Sequence, residues 1–303
     1  MEGILPLFKP KGMTSHDCVF KLRKILKTRK IGHTGTLDPD VTGVLPICIG
    51  RATKVAEYIT DAGKSYEAEV TIGFSTTTED ATGELVEEKR IERPIKRKEI
   101  LDVLNRLTGT IQQTPPMYSA VKVKGKRLYE YARQGIVVDR PTREVQIYSM
   151  ELMDEEELFS GDQIRFHIRV SCSKGTYIRT LAVMIGEEFG YPAHMSKLIR
   201  TKSASITLKD CFTFEEIENT MREDKIQDIL YPIEMALSHL PKYELNDTLA
   251  EKVKNGAVLP APAFCENIDG PINMMTHGMT IALYIKHPQK QGLIKPVKVL
   301  RNE

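Results

Sequence analysis

The stretch GHTGTLDPDVTGVLP, Gly32 to Pro46, sets two carboxylates, Asp38 and Asp40, among glycines, threonines and prolines. An acid in that setting can bond its own turn, ligate a metal or phosphate, or act as a nucleophile or base. Asp38 stands directly before Pro39, and a residue before proline is driven out of helical φ/ψ into an extended conformation. It is therefore displayed from a loop rather than from a helix face. Gly35 and Gly43 permit a tight backbone path around it. An Asx turn is the commoner fate of an aspartate among such neighbours.

The ligand and nucleophile readings can be tested on the flanks. Asp38 to Thr42 spells DxDxT, the pattern of haloacid-dehalogenase-type phosphatases. That nucleophile ends a buried apolar strand, whereas GHTGT precedes Asp38 and the apolar run VLPICI follows it. The loop also lacks the GxxxxGK[ST] spacing of a phosphate cradle. A turn acid and a displayed catalytic acid both remain open at this point.

Ser15 is placed to cap a helix whose Val19, Leu22, Ile25 and Leu26 follow the helical period. Gly32 to Gly43 reads as loop, VLPICI as a buried strand and ATKVAEYIT as a short helix. YEAEVTIG (66–73) and the alternating IRFHIRVS (164–171) read as strands, and STTTEDATGE as a polar loop. KEILDVLNRLTG is an amphipathic helix ended by Gly109, and CSKGTYIRTLAVMIGEEFG turns through Gly175 into another. SASITL is expected as a strand, TFEEIEN as a helix and ALSHLPK as a linker. Short apolar runs with Gly and Pro follow, fitting a small β-rich module. Strands and helices mix without regular βαβ alternation, so the fold class is α+β.

The chain of 303 residues is 41% hydrophobic and 28% charged, values of a soluble globular protein. It has no run long enough to span a bilayer and no secretory signal, and its five cysteines form no CxxC pair. A reducing cytoplasm is the simplest compartment. Net charge is only +2, but its distribution is uneven. Residues 1–60 hold ten Lys/Arg against five acids, and residues 115–145 hold seven against three. Two basic patches fit a phosphate-rich partner; a solvated helix face is the bland alternative.

GHTGTLDPDVTGVLPICIGRATK resembles the hallmark motif of the TruB family of tRNA pseudouridine synthases. FKPKGMTS is similar to that family's Lys-Pro-x-Gly motif, and KSYEAEVTIGFSTTTEDATGE to its Tyr strand and acidic loop. QTPPMYSAVKVKGKRLYEYARQG resembles its inserted RNA-binding loop; CSKGTYIRTLA and HMSKLIRT resemble its Tyr/Arg and Leu segments. These segments stand in the family's order over roughly residues 1–235.

The resemblance implies a mixed, mainly antiparallel sheet with flanking helices over residues 1–238, including an RNA-binding insertion at about 112–145. A PUA-like RNA-binding module at 239–303 is implied to follow. The implied activity is isomerisation of the T-loop uridine of tRNA, with no cofactor, metal, guide RNA or protein partner. Asp38 is implied as the catalytic acid, Arg179 as its partner and Tyr66 as the tyrosine that stacks on the flipped base. Tyr177 and Leu198 would line the pocket, and His33 would fill space beside the flipped nucleotides. Lys9 is expected as a structural or phosphate contact, and Asp80 as an RNA-shaping residue. Lys122, Lys124, Lys126, Arg127 and Arg133, interleaved with tyrosines, fit phosphate contact and stacking. Asp40 is given no catalytic role. The rival from another class is a non-catalytic tRNA-binding or tRNA-folding protein on the same scaffold.

Overall fold

A computed structural model describes residues 1–302. The chain opens with β1 (Gly3–Lys9), α1 (Ser15–Ile25), β2 (Ile31–His33) and β3 (Thr42–Ile49). A 3-10 turn and α2 (Ala56–Asp61) lead into β4 (Lys64–Ile72) and the hairpin β5 (Phe74–Thr76) and β6 (Leu85–Glu88). Next come β7 (Ile95–Lys96), α3 (Arg97–Arg106) and β8 (Gly109–Gln113). The insertion carries β9 (Lys122–Val123), β10 (Lys126–Arg127) and α4 (Leu128–Ala132), and the chain returns through β11 (Arg143–Leu152). Then follow β12 (Leu158–Phe159), β13 (Ile164–Cys172), α5 (Ile178–Phe189), β14 (Ala193–Ser203), β15 (Ile206–Thr207) and α6 (Phe214–Arg222). The C-terminal module holds β16 (Lys242–Glu244), α7 (Asp247–Lys254), β17 (Leu259–Pro260), β18 (Ile272–Thr276), β19 (Met279–Lys286) and β20 (Leu293–Val299).

The main sheet runs β1-β3-β14-β4-β13-β11-β8, with β2 beside β3 and β15 beside β14. Its pairings are antiparallel except β3 with β14, which is parallel. This is the α+β, mainly antiparallel architecture expected from the sequence. β3 is buried along nearly its whole length because α1 and α6 cover one face and a second apolar cluster the other. β13 instead alternates buried and exposed residues, as a half-covered strand must. The largest core lies between α3, α5 and the centre of the sheet.

Several local expectations change. Thr14, not Ser15, caps α1: its side chain accepts from the Asp17 N–H, and the Asp17 carboxylate accepts from the Thr14 N–H. Ser15 is buried and serves another purpose, described below. The α3 helix ends at Arg106, and Gly109 opens β8 with φ of +105° instead of capping the helix. STTTEDATGE includes part of the β5–β6 hairpin. The strand expected at SASITL is a tight hairpin, in which Ser203 ends β14, Ala204 and Ser205 turn, and Ile206–Thr207 form β15; the long strand is β14 itself, which runs into it. ALSHLPK begins in a buried 3-10 turn, Ile233–Leu237, that packs against Leu283 and Leu300 of the module. No helix among the described residues is long and apolar enough to cross a membrane.

Candidate active site

The loop from His33 to Thr42 joins β2 to β3, and buried groups hold it from beneath. The Ser15 hydroxyl accepts from the Leu37 N–H at 2.8 Å and lies 3.2 Å from the Leu37 carbonyl. The freed helix-cap position therefore ties the start of α1 to the residue before Asp38. Lys9, wholly buried at the end of β1, donates to the carbonyls of Pro10 (2.9 Å), Pro39 (3.0 Å) and Val41 (2.7 Å). These three bonds give Lys9 a structural role beneath the Asp38 loop. Burial draws its pKa below the ordinary lysine value, and Asp38 among others counters that.

Replacing Lys9 by Met would leave those three carbonyls without their donor. Each unmet buried group costs about 1–3 kcal/mol, so Lys9→Met is expected to lower stability by about 3 kcal/mol or more. A shift of the denaturant midpoint at unchanged slope checks this. An unchanged midpoint would mean that the ammonium holds nothing.

Gly43 shows why the loop ends in glycine. A Cβ there would lie 2.2 Å from the Arg200 carbonyl oxygen, and its φ is +110°. The parallel pairing of β3 with β14 matches Gly43 to Arg200 at that close approach. Asp40, by contrast, faces outward and lies 3.8 Å from Lys11, both well exposed.

Asp38 meets Arg179 at 3.1 Å, Oδ2 to Nη2. Arg179 is the second residue of α5, and its side chain is 6% exposed against 43% for Asp38. The cation is thus the fixed partner, and the carboxylate opens on solvent. The same guanidinium donates to the Thr78 carbonyl (2.9 Å) and the Tyr118 carbonyl (2.9 Å). One fork therefore joins the Asp38 loop, the acidic loop and the root of the insertion. Crowding by protein pushes the Asp38 carboxyl above its ordinary value, Arg179 pulls it back down, and Asp80 adds to the rise.

Tyr66 on β4 is 7% exposed and feels the Asp38 charge; burial raises its hydroxyl pKa, and Arg200 lowers it. Tyr177 forms the N-cap of α5 and also feels Asp38 and Arg179. Its backbone is gripped by the Gln113 amide, which accepts from the Tyr177 N–H (3.0 Å) and donates to its carbonyl (3.2 Å). Leu198 is half-buried on β14 opposite Ala68, one residue pair along the same side from Tyr66 and Arg200. His33 is half-buried with a Nδ1 that has no partner among the described residues, and burial keeps it neutral by lowering its pKa.

Asp80 lies at the margin. Its Oδ1 accepts from the Thr78 hydroxyl (2.6 Å) and from the Thr82 N–H (2.9 Å), and its Oδ2 is 3.9 Å from Arg179. Its visible work is to shape its own turn. Sequence reasoning missed Glu79 and Arg200. Glu79 takes a left-handed backbone, φ 62°, accepts from the Thr180 hydroxyl at 2.9 Å, and lies 3.9 Å from Arg140 at the far root of the insertion. Arg200 is 1% exposed beneath the Asp38 loop. No signal in a single chain marks it, because its match to Gly43 is set by strand pairing.

In the insertion, Lys122, Lys124, Lys126 and Arg127 are all exposed on the β9–β10 hairpin. Lys124 and Gly125 both have positive φ, as a two-residue type I′ turn requires. Arg127 and Arg133 lie 5.8 and 5.3 Å from the Tyr129 ring centre, and Lys126 lies 6.0 Å from that of Tyr131. The cations thus already accompany the tyrosines. Among the described residues no cluster of His, Cys, Asp and Glu could hold a metal ion.

Residues 23–178 match the model of the TruB family pseudouridylate synthase N-terminal domain, and residues 179–238 that of the tRNA pseudouridylate synthase B C-terminal domain. A tRNA pseudouridine synthase B of Geobacillus thermodenitrificans is 59% identical over 302 residues, 99% of this chain and 100% of the relative. One from Bacillus pumilus is 56% identical over 306 residues, 100% of this chain and 99% of the relative. Among solved structures, that of a Cbf5-Nop10-Gar1 complex aligns with a TM-score of 0.74 and 29% identity, covering 99% of this chain and 85% of that one. An H/ACA RNP bound to a substrate RNA containing 2′-deoxyuridine aligns at 0.72 and 26%, with 99% and 85% covered.

Proposed function

The chain belongs to the TruB family and isomerises uridine to pseudouridine in tRNA, and from that premise we propose that its target is uridine-55 in the T-arm loop. We propose Asp38 as the catalytic acid. The carrying observation is the Asp38–Arg179 pair, in which a buried, fixed cation holds an open carboxylate at 3.1 Å.

Isomerisation detaches uracil from its sugar, turns it and rejoins it through carbon. The base must first leave the RNA stack, at a cost of roughly a few kcal/mol. Stacking on Tyr66 returns about 1–3 kcal/mol. Asp38 acts as an anion at the sugar–base junction, and Arg179 keeps it ionised where crowding would favour the neutral acid. Tyr177 and Leu198 line the pocket and exclude water, so the detached base does not escape. His33, neutral, fills the space beside the flipped nucleotides. No cofactor has a part in this internal rearrangement.

Recognition rests on the shape of the RNA loop. The exposed Lys122, Lys124, Lys126 and Arg127 contact phosphates, and residues 239–303 act as a PUA-like module that adds RNA contact after a catalytic unit at 1–238. The enzyme works alone in the cytoplasm, without guide RNA. A merely tRNA-folding protein has no use for the buried Arg179 fork on an open carboxylate.

Chemical mapping of pseudouridine along an unmodified tRNA tests the target. One new pseudouridine in the T loop is expected, and modification elsewhere or nowhere would overturn the proposal. Replacing Lys122, Lys124 and Lys126 together by Ala should weaken tRNA binding and reduce the slope of log K against log salt by about 2. An unchanged slope would remove the insertion from the interface.

A further inference from the structure

Arg200 carries a permanent charge into the protein interior at 1% exposure and has no carboxylate within ion-pair distance among the described residues. Such a burial is costly unless the donors find strong acceptors. Its Nε donates to the Val44 carbonyl at 2.7 Å, and its Nη2 lies 3.4 Å from the Gly35 carbonyl. These two acceptors bracket the Asp38 loop. The Tyr66 side chain stands directly opposite Arg200 across the β4–β14 pair, on the same side of the sheet, and the phenol and the guanidinium attract one another.

We propose that Arg200 is a positioning residue for the isomerisation, acting on the target base through the hydroxyl of Tyr66. This rests on the reading that Tyr66 faces the flipped uracil. Arginine only donates, so the phenol oxygen accepts from Arg200. The phenolic hydrogen must then turn to another acceptor, and in the cleft the oxygens of the flipped nucleotide that lie beyond the stacked face are the acceptors that arrive with the substrate. One guanidinium thus sets the direction of the Tyr66 hydroxyl and the height of the Asp38 loop at once. The groups that face the Tyr66 hydroxyl are Arg200 from β14, Cys172 from β13 and Asp38 from the loop, and burial raises its pKa while Arg200 lowers it. Two further basic groups stand near Arg200: Lys64, drawn down to about 8 by burial and by Arg200, and His33, whose pKa burial and Arg200 also lower. The guanidinium is the member of this set that cannot shed its charge.

The test is a double-mutant cycle of Arg200→Gln with Tyr66→Phe, read as the single-turnover rate of pseudouridine formation and the tRNA dissociation constant. Arg200→Gln alone should slow the rate at least about thirtyfold, with the dissociation constant changed less than about twofold. In the Tyr66→Phe background the same change should cost at least about threefold less than in the parent. Effects that multiply within threefold would overturn the proposal while leaving Tyr66 its stacking role. A Tyr66→Phe enzyme at the parent rate would show that the hydroxyl is not used and would overturn the proposal, while the ring keeps its stacking role. Should Arg200→Gln not fold, Arg200→Lys enters the same cycle: it keeps the charge but cannot span both loop carbonyls and the phenol.

Discussion

Asp38→Asn is expected to abolish pseudouridine formation, by at least about 10⁴-fold, while tRNA affinity stays within a few-fold of the parent. The substitution preserves shape and removes only the negative charge. The fold should tolerate it, because what secures the loop does not pass through the Asp38 carboxylate. Ser15 holds Leu37, Lys9 holds Pro39 and Val41, and Arg200 holds Val44. Arg179 also keeps acceptors at Thr78 and Tyr118. The side chain opens on the cleft, so no buried polar group is orphaned by the exchange. Unfolding and binding measured beside turnover separate this from a folding defect: lost binding or a collapsed unfolding midpoint would contradict it.

Arg179→Met has the second-largest expected effect, a fall in rate of about 10²–10³-fold. Three functions end together: the 3.1 Å pair with Asp38, the tie to Thr78 and the tie to Tyr118. The pH profile identifies which of these dominates the chemistry. Asp38 must be ionised to act; crowding and Asp80 raise its pKa, and Arg179 lowers it. Without Arg179 only the raising influences and the weaker pull of Lys9 remain, so the acidic limb of the rate profile must move to higher pH. Arg179→Lys restores a charge but not a fork that reaches three partners. It should return the limb toward its original pH and recover only part of the rate. An acidic limb that stays in place in Arg179→Met would show that the pair does not govern ionisation of Asp38.

Much of the site is legible in the sequence. Pre-proline geometry displayed Asp38, the lack of an apolar run leading directly into it set aside the phosphatase reading, and the ordered motifs supplied Arg179, which the structure brings to Asp38. Strands with strict alternation, such as β13, were read close to their true bounds. What escaped was set by pairing rather than pattern. β14 mixes Lys197, Arg200 and Lys202 among apolar residues, and so hides its strand character. It lies at the centre of the sheet, where burial overrides local preference. Lys9 and Arg200 look like surface cations in a sequence, because a sequence gives the donor and not the carbonyls that will surround it. Ser15 and Thr14 are equally good caps by type. Thr14 became the cap because Asp17 lies three residues on, and Ser15 was turned inward to Leu37. Glu79 sits in a polar loop beside Asp80, and nothing in that run marks its left-handed backbone.

The most direct measurement is tritium release from tRNA labelled at carbon 5 of its uridines, since rejoining the base through that carbon frees its hydrogen. The intact protein should release one equivalent per tRNA, and Asp38→Asn none while still binding the same RNA. Release by Asp38→Asn at a rate near that of the intact protein, or binding without release by the intact protein, would contradict the assignment of Asp38 as the catalytic acid.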